Sequence, residues 1–573
     1  MKKSRLVSMM LALTVSVGTV GAFAGCKKPD SGEEVDSSKT QLYVRNYQGG
    51  FGNKWLYNGK DKFEAKYANT SLETGKTGVQ VMITDVKETP DATNIKNDAY
   101  EVYFVEKVQY LSMEKQGVLE DITDIVTGNN PYDGKSIESK LTAGQKDFYG
   151  IQKDGSTKYY ALPHYMAPLG IVYDIDLFEE RGYYFAEGYE NETNLDDKFV
   201  VEGSKRSAGP DGKTGIIDGV DYSLDDGLPA TYADFWDLCE YIYRDGKTPL
   251  NWGGTEAGKF YVTALMIQMM ADYQGAEEFM RNFTMDGELS EVVKLDTDGN
   301  VVMKADGTPD TERVTLDPSQ NNGYESFRTL AYYYGLDFVK TLMDKSGTYA
   351  ISANVNSKEY DAFKAQKDYV ASRFASNIKR QAMLIDGSWW DSEATSYFEK
   401  NEAIGGGKNN CRYGWLPLPN ATREQVGKHN NTMVNNINSL CFVKKGLSEE
   451  KKQLAFDFVQ LMNSDESLVD FTVQTNAFKD FEYEINSSEV EKLSPFGKEI
   501  YKAWSSYDKI NPNHNNEQYQ NTIYTTDSSR RFGLDNNNVF PGLVFATKQT
   551  SAADYLAGSY KYIRESVALW NKK

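Results

Sequence analysis

Two tryptophans stand side by side in AMLIDGSWWD, residues 382–391, directly after an Asp-Gly-Ser corner. Ala382 to Ile385 read as a buried strand and Gly387 as the turn that leaves it. Ser388 has the form of a helix N-cap, with Asp391 three residues on completing a capping box, so the spacing predicts a helix over WWDSEATSYFEK. Trp389 and Trp390 would be its first two residues, pointing about 100° apart, so one can pack while the other looks out of the strand end. In open α/β sheets ligands bind at the carboxyl ends of the strands, which makes this corner a candidate binding site. Burial of both rings in a core is the competing reading.

Few other stretches carry residue types suited to catalysis or metal binding. The only histidines are His164, His429 and His514, and no CxxC, HExxH or Cys/His cluster occurs, which argues against a structural zinc site. GxSxG is absent. GPDGKTG at 209–215 contains a GKT, but no glycine precedes it at Walker spacing and its setting is turn-rich, so it is not read as a phosphate loop. DTDGN at 296–300 of the segment LDTDGN lacks the ligand spacing of a calcium loop. Beyond Cys26 there are three cysteines, Cys239, Cys411 and Cys441; an odd number cannot close fully into disulfides, and a Cys411 to Cys441 bridge stays open.

The elements around the tryptophan corner alternate. QLYVRNY (41–47) and VQVMITDV (79–86) are strand-like, and Leu56, Lys60, Phe63 and Tyr67 mark one face of a helix between them, a β-α-β unit. EVYFVE (101–106) is a third strand, followed by a helix that stops near Gly117. KYYALPHYMAPLG has two prolines in six residues and reads as a crossing segment before the strand IVYD (171–174). In TYADFWDLCEYIYRDG, Thr231 caps, Asp234 closes the box, and Phe235, Leu238, Cys239 and Ile242 line one helical face. Strands return at AMLID, YGWLPLP and NSLCFVKK, and helices at SEEKKQLAFDFVQLMN and AADYLAGSYKYIRESVALW. Two Gly/Asp-rich stretches, near 191–228 and 286–316, are predicted as inserted hairpins. The class is therefore α/β.

At 573 residues the chain has room for two substantial domains. Its net charge of −20, from 63 basic against 83 acidic residues, argues against nucleic acid or an anionic membrane surface as partner. With 39 Tyr against 27 Phe, many rings carry a hydroxyl able to meet a polar ligand or water. The N-terminus combines basic MKKSR, an apolar run and FAGC ending at Cys26, the pattern of a secretory signal. FAGC resembles the bacterial lipobox, with Phe23 where Leu is preferred, so cleavage after residue 25 would leave Cys26 carrying a diacylglyceryl group. KKPDSGEEVDSSKT (27–40) is polar, and residues 26–39 are read as a flexible tether.

Seven landmarks stand in a recognisable order: NYQGGFGNKWL; EVYFVEKVQYLSMEKQGVLEDITD; KYYALPHYMAPLGIVYDIDLFEERGY; LPATYADFW; QAMLIDGSWW; YGWLPLP; and SLCFVKKGLSEEKKQLAFDFVQLMNSDESLVDFTVQTNAF. Behind a lipobox, this order resembles the extracellular solute-binding proteins of ABC importers, in particular the family-1 sugar-binding lipoproteins of Gram-positive bacteria. The resemblance covers nearly all of the mature chain. It implies a type II periplasmic-binding-protein-like fold: a first lobe of 40–163 plus about 436–485, a second of about 164–435 plus 486–573, and crossing strands between them.

It further implies an oligosaccharide held between the lobes. Trp389 matches the family's Gly-x-Trp turn, whose indole stacks on a sugar ring; Trp390 would be packing, and Asp386 would accept sugar hydroxyls. Tyr47, Gln48 and Gly50 fall in the first ligand loop, Glu106 at the end of the third strand, Tyr165 and Asn435 in the crossings, and Trp252 would be a second aromatic plate. His164 would pack the hinge. The implied protein is a monomer without enzymatic activity, cofactor or metal, lipid-anchored at the extracellular face of the cytoplasmic membrane, with ABC permease subunits as partners. The alternatives are the same fold binding a peptide or polyamine, and a secreted carbohydrate-active enzyme.

Overall fold

The structure is a computed structural model, described here for residues 32–218, 220–512, 541–547 and 549–565. Strand Thr40–Tyr47 buries Leu42 and Val44 and pairs parallel with Val79–Val86 over eight residues, from Thr40 opposite Val79 to Tyr47 opposite Val86. Helix Lys54–Tyr67 connects them and lays Trp55, Leu56 and Phe63 onto the sheet. Strand Val102–Glu106 pairs parallel on the other side, and Ser439–Val443 returns from far downstream to pair antiparallel with it, placing Ser439 opposite Glu106. Leu162–Pro163 completes a five-stranded sheet. Helices Glu449–Met462 and Asp465–Thr475 cover it, with Ser448 and Ser464 capping them. The first lobe is thus discontinuous in sequence.

The second sheet has four strands in the order Thr248–Asn251, Gln381–Gly387, Leu169–Asp174, Tyr413–Leu416. Gln381–Gly387 is buried along its whole length, as a run without alternation requires when both faces are covered. Helix Tyr232–Arg244 docks by Phe235, Leu238, Cys239 and Ile242, and Thr231 and Asp234 form the predicted reciprocal capping box. Helix Glu256–Thr284 packs against helix Leu330–Asp344 and the sheet, with non-helical backbone at Gly275. Among the described residues no helix is long and apolar enough to cross a membrane.

The chain passes between the lobes in short two- and three-residue pairings. Tyr165–Met166 pairs with Phe478–Lys479, and Thr432–Val434 with Asp508–Ile510. Asn435 ties these segments together: its Oδ1 accepts from the Ala167 amide at 3.1 Å, its amide donates to Ile510 O at 2.8 Å, and its Nδ2 donates to Asp480 Oδ2 at 3.3 Å.

Several expectations require correction. Residues 287–316 form a hairpin, Gly287–Val293 against Thr311–Leu316, and among the described residues of the 191–228 stretch a short antiparallel pair joins Ile216–Ile217 to Val220–Asp221. The rest of that stretch is held by turns and by isolated bridges such as Phe185 with Phe199, because its closely spaced glycines favour turns over ladder. Ser388 does not cap a helix. The helix there is only Trp390–Glu393, followed by Thr395–Asn401, and Asp391 is occupied by Ser494 Oγ (2.8 Å), Asn476 Nδ2 (3.3 Å) and Lys408 Nζ (3.0 Å). Cys239, Cys411 and Cys441 are free thiols; Cys411 belongs to the core of the second lobe and Cys441 to that of the first. Cys26 lies outside the described residues.

Candidate functional site

Strand ends from both sheets converge where the lobes meet. Glu106 ends its strand in the first lobe, and its carboxylate accepts from the Tyr165 hydroxyl of the crossing segment. The loop after the first strand closes over this pair: a Cβ on Gly49 would lie 2.7 Å from Glu106 Oε1 and 2.8 Å from Tyr165 Oη. Gly50 has φ +89°, and a Cβ there would lie 2.9 Å from Glu393 Oε1 and 3.5 Å from Trp389 Cδ1, both in the second lobe. Glycine at 49 therefore lets the loop lie against Glu106 and Tyr165, and glycine at 50 lets one lobe's backbone approach the other's side chains. The Gln48 amide donates to Val86 O at 2.9 Å and extends the sheet into this loop.

From the second lobe, Asp386 and Gly387 end the central strand. The Trp389 ring folds back over Gly387 so closely that a Cβ at 387 would lie 2.3 Å from it. Only a residue without a side chain leaves room for the indole at the strand's carboxyl end. Trp389 is 5% exposed, edge-on to Phe51 of the first lobe (6.1 Å, 76°) and to Tyr261 of helix Glu256–Thr284 (6.1 Å, 79°). Phe51 in turn meets Tyr165 at 4.7 Å. Trp390 points the other way, fully buried among Tyr369, Phe398, Tyr413 and Phe496.

Three carboxyl groups share this junction. Burial, with repulsion from Glu393 added, pushes Asp386 up to about 8. Burial likewise pushes Glu106 up to about 7, against the pull of Lys107 and Lys87. Glu393 is raised for the same first reason. Gln366 Nε2 bridges the second-lobe pair, donating to Asp386 Oδ2 at 3.1 Å and Glu393 Oε2 at 2.8 Å. Tyr47 is half-buried, its phenol raised to about 12 by burial and by Glu106, Glu88 and Glu393, which places it at the same junction. The result is a set of rings flanked by carboxyls, drawn from both lobes.

The structure brings together Tyr47, Gly50, Glu106, Tyr165, Asp386 and Trp389, with Gln48 at the base of the loop. It does not bring Trp252 there. That indole, just past the end of strand Thr248–Asn251, is fully buried in the second lobe's core, with Asn354 Nδ2 donating to its backbone carbonyl at 2.5 Å. Asn435 is likewise engaged in the hinge by both ends of its amide. His164 sits beneath the junction among Trp55, Phe104 and Phe471, with Lys479 Nζ 2.6 Å from its Nδ1. Sequence reasoning missed Phe51, Tyr261, Gln366 and Glu393. Glu393 was findable, four residues beyond Trp389 and hence on its helical face; Phe51 was the one large apolar residue inside a glycine-rich loop; Tyr261 and Gln366 carried no local signal.

No described protein family and no curated protein matches the chain by sequence. Solved structures do. A chitin oligosaccharide binding protein superposes with a TM-score of 0.51 at 15% identity, over 93% of this chain and 100% of the other. The SBP RafE, solved in complex with raffinose, gives 0.50 at 14% identity, over 92% and 100%. The chain has the two-lobed solute-binding fold. Within that fold the tryptophan corner lies between the lobes, and among the described residues no group of three or more His, Cys, Asp or Glu side chains is arranged to hold a metal ion.

Proposed function

We propose that the chain is an extracellular solute-binding protein that captures a carbohydrate, an oligosaccharide by analogy with the proteins of like fold, between the two lobes and delivers it to an ABC importer. The observation that carries this reading is the junction itself: Phe51 and Tyr165 from one side, Trp389 and Tyr261 from the other, interleaved with Glu106, Asp386 and Glu393. A pyranose has an apolar C–H face and a rim of hydroxyls, so it needs rings and hydrogen-bonding groups in alternation. Carboxyls raised by burial can donate as well as accept to those hydroxyls. The proteins of like fold, one a chitin oligosaccharide binding protein and one crystallised with raffinose, support the same class of ligand.

Capture is reversible: ligand contacts with both lobes favour the closed arrangement by their difference between open and closed states. A hydrolase would need one ionised carboxylate beside one protonated acid; the proteins of like fold are binding proteins, which supports binding without turnover. Delivery requires a place at the membrane. Cys26 carries the lipid, residues 26–39 span from it to the first lobe, and the anchored monomer docks on its permease at the outer face.

Calorimetric titration of the purified protein against mono- and oligosaccharides, with peptides and polyamines as controls and product analysis of each mixture, tests the reading. Saturable heat with an intact glycan supports it. Glycan breakdown, or heat with the controls only, overturns it. For the anchor, a Cys26→Ala chain should appear in the medium instead of the membrane fraction; retention at the membrane would refute lipidation at Cys26.

A further inference from the structure

An open polar cavity lies in the second lobe, away from the junction and lined by neither Glu106, Tyr165 nor Trp389. Its volume is 1730 Å³, and its wall includes Tyr173, Arg206, Asp211, Tyr222, Asp225 and Tyr507. Residues from 206–213 and 221–225 form one side. Gly209, with φ +62°, brings the chain against Asp225: a Cβ there would lie 2.2 Å from Asp225 O and 2.9 Å from its Cγ. The Asp211 amide donates to Asp225 Oδ2 at 2.9 Å. The loop is pinned from outside by Asn420 Nδ2 and the Gly427 amide, both donating to Pro210 O, at 3.0 and 3.2 Å.

This corner gathers carboxylate oxygens whose donors are backbone amides: Lys213 N–H to Asp211 Oδ1 at 2.7 Å and Asp211 N–H to Asp225 Oδ2. Asp225 is 2% exposed, and its Oδ1 has no hydrogen-bond partner; the buried Oδ1 of Asp226 has none either. Tyr507, 8% exposed, lines the same cavity with a hydroxyl that is also unpartnered, and after burial the charge of Asp225 is the main influence raising that hydroxyl. Two cations stand near: Lys213 lies over Tyr222 at 4.2 Å and favours the charged form of Asp211, and Arg206, which holds Glu179 at 2.9 Å and lies over the Tyr184 ring at 3.4 Å, favours that of Asp226. Buried oxygens left unpartnered carry a cost that a bound cation would remove.

We infer that this corner of the second lobe is a divalent-cation site, with Asp211 and Asp225 as its anionic ligands and calcium as the ion it fits. The donors are oxygen only, which selects a hard cation over zinc or copper. Two carboxylates are few, so backbone carbonyls and water must complete the six to eight oxygens calcium takes. Asp226 adds negative charge beside them, and the Tyr507 hydroxyl is placed to bond an ion-bound water. A site so built belongs with extracellular calcium modules, with Kd of about 10⁻⁴–10⁻³ M. Its consequence is structural: the ion would fasten the 207–227 stretch to the lobe that carries Trp389.

The test is a calcium titration of the EDTA-treated, purified protein, followed by thermal melting and by terbium luminescence, which the tyrosines of the cavity would sensitise. Calcium should raise Tm saturably by a few degrees, with EDTA reversing it, and should displace terbium. Asp225→Asn and, separately, Asp211→Asn should abolish or weaken both responses at least tenfold. Asp296→Asn, in the DTDGN turn of the 287–316 hairpin, should leave them unchanged. No saturable response up to about ten times that Kd, an equal rise with sodium chloride at matched ionic strength, or loss of the response in Asp296→Asn instead would each overturn the assignment. The Tm and luminescence readouts need no sugar, so their failure leaves the ligand reading intact.

Discussion

Trp389 and Trp390 are neighbours in sequence and opposites in surroundings. Trp390 is enclosed by residues of its own lobe, Tyr369, Tyr413, Phe398 and Phe496. Trp389 is almost as deeply buried, yet its partners include Phe51 from across the junction, and three carboxyl groups border the same space. Burial alone therefore does not separate a core ring from a binding ring. Ownership of the surrounding surface does: one ring is covered within a lobe, the other only when two lobes come together.

The largest effect expected from this contrast is on stability. Trp390→Ala should destabilise the protein by about 3–5 kcal/mol, the usual cost of truncating a buried tryptophan, seen as a fall in denaturant midpoint. Glycan affinity of the folded fraction should stay within a few-fold. If instead affinity collapses while the midpoint holds, the two rings have been assigned the wrong way round.

Trp389→Ala should reverse the pattern, losing about 2 kcal/mol or more of binding, roughly thirtyfold in Kd. Its effect on unfolding should be the smaller of the two, because the ring's neighbours are split between units that separate on opening. Calorimetry and a melt on the same preparation read both quantities.

How far this contrast could be read from the sequence depends on the range of the interactions that set it. The helix capped by Thr231 and Asp234 was legible because its box closes within three residues, and the 100° step that parts the two indoles is a property of any helix start. The same three-residue logic failed at Ser388 and Asp391, since Asp391 is claimed by Ser494, Asn476 and Lys408, partners 17 to 103 residues away that no local pattern announces. Trp252 looked like Trp389, an aromatic beside glycines, but a neighbouring strand and Asn354 close over it. The strand ends were visible in the pattern; which of them face each other was decided by the return of Ser439–Val443 to the first sheet.

A third prediction concerns charge. Asp386 near 8 and Glu106 near 7 hold protons in the folded protein at pH values where an exposed carboxyl, near 4, has lost them. The folded state thus binds more protons than the unfolded one between those limits. The stability these groups lend is full below about pH 4 and is lost as pH rises through 7 and 8, by at most about 1.4 kcal/mol per pH unit per group. Asp386→Asn, which cannot ionise, should melt with a flatter pH dependence from 5.5 to 8.5 than the parent. An unchanged slope would mean that Asp386 is already ionised within the fold.

The smallest effect gives the sharpest test of the shared junction, because it comes as a difference between two like substitutions. Gly50 and Gly52 both have positive φ, +89° and +75°, so alanine at either meets a left-handed backbone costing about 1 kcal/mol. At Gly52 a Cβ would meet nothing within 4 Å, whereas at Gly50 it would lie 2.9 Å from Glu393 Oε1 and 3.5 Å from Trp389 Cδ1 in the other lobe. Strain in the loop is common to both variants and cancels between them. The additional loss of glycan affinity in Gly50→Ala over Gly52→Ala, expected at about 1 kcal/mol or some fivefold in Kd, then measures how closely this backbone must approach the tryptophan corner when the lobes meet. Equal losses would show that the loop needs its glycines only for its own turn, and that the ligand is gripped without bringing residue 50 against the second lobe.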